Sequence, residues 1–340
     1  MRPGHVPVAP PRFRAALGVL VGVLVAAVVA CSDPPPDDPS PAGPPEAAGT
    51  PEASATDEAL TPGGWDRELV FIELGADSAL FLPWHFRALD AGAELHWQRS
   101  LRIGSPTGWE VLHADTLVSP RTRAPWRILA GGPVQMVVEA DDALSTLIFQ
   151  GTERQLEFGP VEFLVEWSRP EGGAARIHRG SGIQIDETDV EALREFDGLI
   201  LDLTRAWSEN RPPPGDWIFL QAGTPTQFVF EELDPAEGGP GRYRGWSRIA
   251  FQTRTWPRLE VEWEEQRAFE RARRDIPRRW SIRSPDGALE GELEAVGSLL
   301  EAGQGTGPLL PVTAYFEVTG DVRVDGELIP VHGLIRHVQQ

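Results

Sequence analysis

The chain has 340 residues, 41% of them apolar and 24% charged, and carries a net charge of −20 at pH 7. So acidic a surface repels nucleic acid and anionic lipid headgroups, so no nucleic-acid partner is expected. A single cysteine excludes a disulfide framework and a cysteine-based metal site, and no recognisable cofactor motif is present, so neither metal nor cofactor is expected.

Arg2, Arg12 and Arg14 precede an uncharged apolar run from Ala15 to Ala30. That run is short for a membrane-spanning helix, which needs about 20 residues. It suits an export signal ending at a small residue. It closes with Val28-Val29-Ala30-Cys31, which resembles the lipobox of bacterial lipoproteins. The resemblance implies removal of residues 1–30, acylation of Cys31 and a membrane partner reached through that lipid. Each buried lipid CH₂ contributes about 0.8 kcal/mol, so several chains anchor stably. Ser32 stands where aspartate would signal inner-membrane retention, so a lipid-anchored place in the cell envelope, at the outer membrane, is expected. Residues 31–62 are rich in Pro, Ala and Gly, acidic and without a basic residue. Such a segment cannot bury enough apolar surface to fold and reads as a disordered, semi-rigid tether.

The folded part reads as all-β. Short alternating or β-rich runs with Gly/Pro punctuation are expected as strands. In the first half they are Leu69–Leu74, Ala79–Pro83, Leu95–Ile103, Val134–Glu139, Leu144–Phe149 and Val161–Trp167. In the second they are Trp217–Gln221, Gln227–Glu231, Ser247–Gln252, Leu259–Trp263 and Ala314–Arg323. Two stretches read as helical. Thr188 to Trp207 opens with Thr188-x-x-Glu191, a capping-box pattern. Glu264 to Asp275 is charged and stops before Pro277.

Phe71-Ile72-Glu73-Leu74-Gly75 with Leu80-Phe81-Leu82 is echoed by Phe219-Leu220-Gln221-Ala222-Gly223 with Phe228-Val229-Phe230. Trp97-x-Arg99 is echoed by Trp246-x-Arg248. Later echoes set Glu166 and Gly182-Ile183 against Glu317 and Gly333-Leu334. Their common order and similar spacing predict two β-barrels of about eight strands each, at 63–187 and 215–340, joined by a helical connector at 188–214.

Asp216-Trp217-Ile218-Phe219-Leu220-Gln221, Pro277-Arg278-Arg279-Trp280 through Pro285, and Tyr315-Phe316-Glu317-Val318 followed by Gly333 resemble three segments of one family. It is the lipocalin-like family of carotenoid hydratase and AttH-type secreted hydrolases. The resemblance covers about residues 216–336 and implies two tandem lipocalin-like barrels. Ile276, Phe316 and Val318 depart from the family pattern, as does Leu334-Ile335-Arg336-His337 where a glutamate is expected. These departures leave the fold expectation standing and weaken the inherited activity.

No HExxH, close His pair or nucleophile elbow is present. Glu317 occupies the family's glutamate position between apolar residues. Facing a barrel interior, it would hold its proton more tightly and suit general-acid chemistry. Glu166 and His332 are weaker candidates for that role. Trp97, Trp217, Trp246 and Trp280, with His332, are candidate ligand contacts, since aromatic walls suit a lipid or terpenoid. Three functions stay open: a lipid-anchored binder of an apolar small molecule, which the eroded motifs favour; a hydratase- or hydrolase-like enzyme using Glu317; and a structural or assembly lipoprotein.

Overall fold

A computed structural model describes residues 63–75, 80–122, 131–169, 172–186, 193–207, 215–236 and 239–340. The expected export signal, Cys31 and the expected tether lie outside them. The described residues form one compact unit. Among the described residues there are seventeen strands and no helix.

The first nine strands make one antiparallel sheet. They are β1 (Gly64–Glu73), β2 (Phe81–Asp90), β3 (Glu94–Ser105), β4 (Gly108–Pro120), β5 (Val134–Val138), β6 (Leu144–Gln150), β7 (Arg154–Ser168), β8 (Gly173–Asp186) and β9 (Leu193–Trp207). The order is β4-β3-β2-β1-β9-β8-β7-β6-β5, so the sheet rolls into a barrel that stays open between β4 and β5. Arg99 spans the opening. It pairs with Asp115 on β4 and donates to the carbonyls of Gly131 and Val134 at the β5 edge.

The remaining strands are β10 (Trp217–Gln221), β11 (Thr226–Ala236), β12 (Gly239–Ile249), β13 (Gln252–Phe269), β14 (Arg274–Arg283), β15 (Leu289–Ala302), β16 (Val312–Val324) and β17 (Glu327–Gln339). They follow one another around a closed eight-stranded barrel, with β17 returning to pair with β10. Gly333 permits that closure: a Cβ there would lie 1.9 Å from the carbonyl oxygen of Phe219. Asp325 and Gly326, both at positive φ, make the two-residue turn before β17.

Side-chain alternation sorts each strand into an inner and an outer face. Leu69 and Phe71 of β1, with Trp84, Phe86, Trp97, Leu101, Leu147, Phe158 and Ile200, fill the first barrel. Ile218 and Leu220 of β10, with Phe228, Phe230, Leu259, Trp280, Leu293, Phe316 and Ile335, fill the second. These side chains are buried to within a few per cent, so the middle of each barrel is packed with protein.

Neither expected helix forms. Leu193–Trp207 is β9, bonded to β1 and β8, so the first sheet runs to Trp207 rather than ending at 187. Its run Leu199-Ile200-Leu201 with Leu203 lacks alternation because both faces are buried, Ile200 inward and the leucines outward. What joins the barrels lies in 208–214, outside the described residues. Glu264–Asp275 is the tip of the β13–β14 hairpin, which is exposed on both faces and so shows no period of two. The run Ser247–Gln252 also splits, because Ala250 and Phe251 take positive φ and turn β12 into β13.

The duplication holds as architecture, and its later echoes do not fall on matching strands. Leu334 lies on β17, the closing strand that pairs with β10, whereas Ile183 lies on β8, which pairs with β7 and β9. The echo of Phe71 in Phe219 also exchanges faces: Phe71 fills the first barrel and Phe219 lies in the outer cluster.

Candidate functional site at the seam of the two barrels

The outward faces of β1 and β10 belong to one shared apolar cluster. Val70, Ile72, Leu199, Leu201 and Leu203 of the first barrel pack with Trp217, Phe219, Val229, Trp246, Tyr315 and Leu334 of the second. Ion pairs frame this contact. Arg169 binds Glu231 of β11, and Arg102 of β3 binds Glu301 of β15 at 2.6 Å.

Within the contact lies a buried polar network. Asp66 accepts from Arg205 at 2.8 Å and from Arg87 at 3.1 Å, and lies 3.2 Å from His85 Nε2. Glu68 pairs with Arg205, with Arg336 at 3.2 Å, and with the indole N–H of Trp217 at 2.7 Å. Burial by itself would raise the Asp66 pKa. Arg205, His85 and Arg87 outweigh it and hold the carboxyl well below the usual range. Glu68 is lowered in the same way, with Arg336 and Arg205 outweighing burial. Burial lowers His85, which favours the neutral ring. Asp66, Glu68 and His85 present ligand atoms within 4.8 Å of one another. Three guanidinium groups already face these carboxylates and disfavour a further cation, so the cluster reads as a structural junction.

Beside the network the seam holds the half-exposed Glu317 carboxyl and a buried, unpartnered indole N–H. Glu317, on β16, has no hydrogen-bond or ion-pair partner among the described residues, and burial raises its pKa. The indole nitrogen of Trp109, on β4, is buried and also lacks a partner. Gly297 of β15 stands between them. A Cβ there would lie 2.8 Å from Glu317 Oε2 and 3.7 Å from Trp109 Nε1. Trp109 stacks between Phe81 of its own barrel and Tyr315 of the other, at 6.2 and 6.1 Å. It reaches this position because Gly104, opposite it on β3, has no Cβ to collide with the ring. Glu317 and the Trp109 indole N–H thus meet over Gly297, beside an aromatic stack that crosses from one barrel to the other.

The expected site residues divide among several places. Glu317 does not face the barrel interior: Ala314, Phe316 and Val318 point inward, and Glu317 shares the outer face with Tyr315. His332 lies on the outer face of β17, diagonal to Glu317, with its ring against the Gln221 amide; burial lowers its pKa. Trp217 and Trp246 belong to the contact between the barrels, where Trp217 binds Glu68 and Trp246 stacks on Trp167. Trp97 and Trp280 are interior packing. Trp97 donates to Ser119, and Trp280 meets Phe316 edge-on at 5.1 Å. Glu166 is bound to Arg176 at 2.6 Å and is no free acid. The sequence reading missed Trp109, Gly297 and the Asp66–Glu68–Arg205 network. The only signal for the network is a charged run, Asp66-Arg67-Glu68, before an apolar strand.

No family model matches the chain, and no curated protein does. Solved structures do match. One is an AttH-type protein of Nitrosomonas europaea, with 12% identity, 88% of this chain and 98% of that chain covered, and a TM-score of 0.58. Another is kievitone hydratase of Nectria haematococca, with 14% identity, 82% and 88% covered, and a TM-score of 0.52. At these identities the likeness is one of fold: the chain has the tandem-barrel fold of the AttH and hydratase structures, as its motifs led one to expect.

Proposed function

We propose that the protein is a lipid-anchored envelope protein that takes up an apolar small molecule at the seam between its barrels. The observation that carries this reading is the meeting over Gly297 of the half-exposed Glu317 carboxyl and the buried, unpartnered Trp109 N–H, beside the stacked rings of Phe81, Trp109 and Tyr315. Aromatic faces supply apolar contact, and two polar atoms supply orientation. The packed barrel interiors favour the seam over either barrel's middle as the place for a ligand. Anchoring rests on the lipobox resemblance at Cys31. Native mass spectrometry of protein released from its own envelope tests the first part. A bound lipid or terpenoid that is lost in Gly297→Leu supports it, and apo-protein in every preparation opposes it. Peptide mass spectrometry tests the second. An acylated Cys31 as the mature N-terminus supports anchoring, and an unmodified cysteine opposes it.

A hydratase-like reaction is the second reading, favoured by the raised pKa of Glu317 and by the activity that one fold relative is named for. Adding water to a carbon–carbon double bond needs a proton delivered to one carbon and water to the other. Glu317 would give the proton, and the proton shed by the added water would restore the carboxylic acid. Glu317→Gln separates the readings: it abolishes turnover in an enzyme and leaves a binder's ligand in place.

A further inference from the structure

The second barrel holds a polar pair that the seam does not use. His337 lies on the inner face of β17, 2% exposed, with Nδ1 2.5 Å from Asp216 Oδ2. Asp216 is fixed by the backbone N–H of Val338 at 2.7 Å and by the Tyr243 hydroxyl at 3.3 Å. Nδ1 faces the Asp216 carboxyl and carries a ring proton toward it; in the neutral ring Nε2 is then an acceptor. That Nε2 is buried and has no hydrogen-bond partner. An unmade hydrogen bond on a buried group costs about 1–3 kcal/mol and calls for an explanation.

Its surroundings are apolar. Trp263 stands edge-on to the imidazole at 5.1 Å and 89°, and Phe316 lies 6.5 Å away. Trp263 is only half-buried. Leu300, Ala302 and Leu310, also half-buried, pack at the same end of the barrel, where Ala302 pairs with Val312 and Ala314 with His337. The half-buried Trp263 ring thus lies against the imidazole at this end of the barrel.

We propose that Asp216 and His337 form a second binding site, at this end of the second barrel, for an apolar molecule bearing one hydroxyl group. Trp263 swings aside, the ligand's O–H donates to Nε2, and its rings or chain lie against Trp263, Phe316 and Leu300. The site is separate from the seam at Gly297 and does not depend on it.

Calorimetric titration of the full chain in nanodiscs, with empty nanodiscs subtracted, tests this with 1-naphthol and 1-methoxynaphthalene, which differ in the donor. The wild type is expected to bind 1-naphthol at least tenfold more tightly. These titrations are then run in a Gly297→Leu background, which blocks the seam; there His337→Gln should bring the two probes within about twofold of each other, while the background alone keeps the tenfold preference. In that background, equal binding of the two probes, no binding of 1-naphthol, or a preference surviving His337→Gln overturns the proposal. Should His337→Gln fail to fold, ¹⁵N spectra of the histidine-labelled wild type decide. The His337 Nε2 resonance must move on adding 1-naphthol, and an unmoved resonance refutes the site.

Discussion

The indole N–H of Trp217, on the first strand of the second barrel, donates to Glu68 on the first strand of the first at 2.7 Å, and both side chains are buried. One hydrogen bond thus ties together the two strands on which each barrel is closed or rolled. Glu68 also holds Arg205 and Arg336, so removing its charge leaves Arg336 without a carboxylate and Arg205 with Asp66 alone. Glu68→Gln is expected to destabilise by about 3–5 kcal/mol, as for one partner of a buried ion pair. Trp217→Phe should cost about 1–3 kcal/mol. In chemical denaturation the double variant should lose less than the sum of the two. Strict additivity would show that the bond is not made.

The same network sets a pH dependence. Asp66 and Glu68 have folded pKa values below their usual 3.8 and 4.5, and His85 lies below its usual 6.5. A depressed folded pKa stabilises fully above the unfolded value, and that stability is lost as pH falls through the folded value. Stability should therefore begin to fall below about pH 6.5, as His85 must take a proton in the unfolded chain, and fall further below about pH 4.5 as the carboxylates do. His178 and His332, also lowered by burial, contribute to the first phase, so His85→Asn should shrink it and keep the second. A melting temperature flat from pH 7 to 3 contradicts this.

Barrel closure has its own test. Gly333→Ala sets a methyl group 1.9 Å from the Phe219 carbonyl oxygen, against β10 backbone that cannot yield without breaking the pairing. It should cost more than about 4 kcal/mol, in the range kept for severe steric faults. Gly297→Ala faces the mobile end of Glu317 and should fold normally. Equal melting temperatures for the two variants would contradict the register of β10 with β17.

Ala250 and Phe251 make a two-residue turn at φ 47° and 74°, a conformation suited to Asn-Gly. Phe251 is exposed, so little packing is lost on replacing it. Phe251→Gly should stabilise by about 1 kcal/mol by relieving left-handed strain. A destabilised variant would mean that the stacking of Arg248 on Phe251, at 5.2 Å, outweighs the strain.

These residues also show what the amino-acid sequence discloses. The tandem barrels are legible because inward residues alternate along strands such as Ile218 and Leu220 of β10, and because the opening hairpins repeat. The segment Asp216–Gln221 that carries the family resemblance is an architectural staple. Asp216 fixes Val338 and His337, Trp217 reaches Glu68, and Gln221 holds the following turn. β9 was hidden because burial on both faces erases the alternation a strand is read by. Glu317 could be named but not oriented, since a single-residue shift of register exchanges inside for outside. Trp109 and Gly297 carry no local signal, because they meet only when one barrel docks on the other.

The central claim is that an apolar ligand lies at the seam, over Gly297 and beside Glu317. The direct measurement is titration of the full chain in nanodiscs with the fluorescent probe 1-aminoanthracene, whose rings suit the aromatic stack and whose amine can donate to Glu317. The wild type should bind it with blue-shifted emission. Gly297→Leu, which crowds the ends of Glu317 and Trp109, should weaken that binding at least tenfold with the melting temperature within a few degrees of the wild type. Undiminished binding by a folded Gly297→Leu chain would contradict the account.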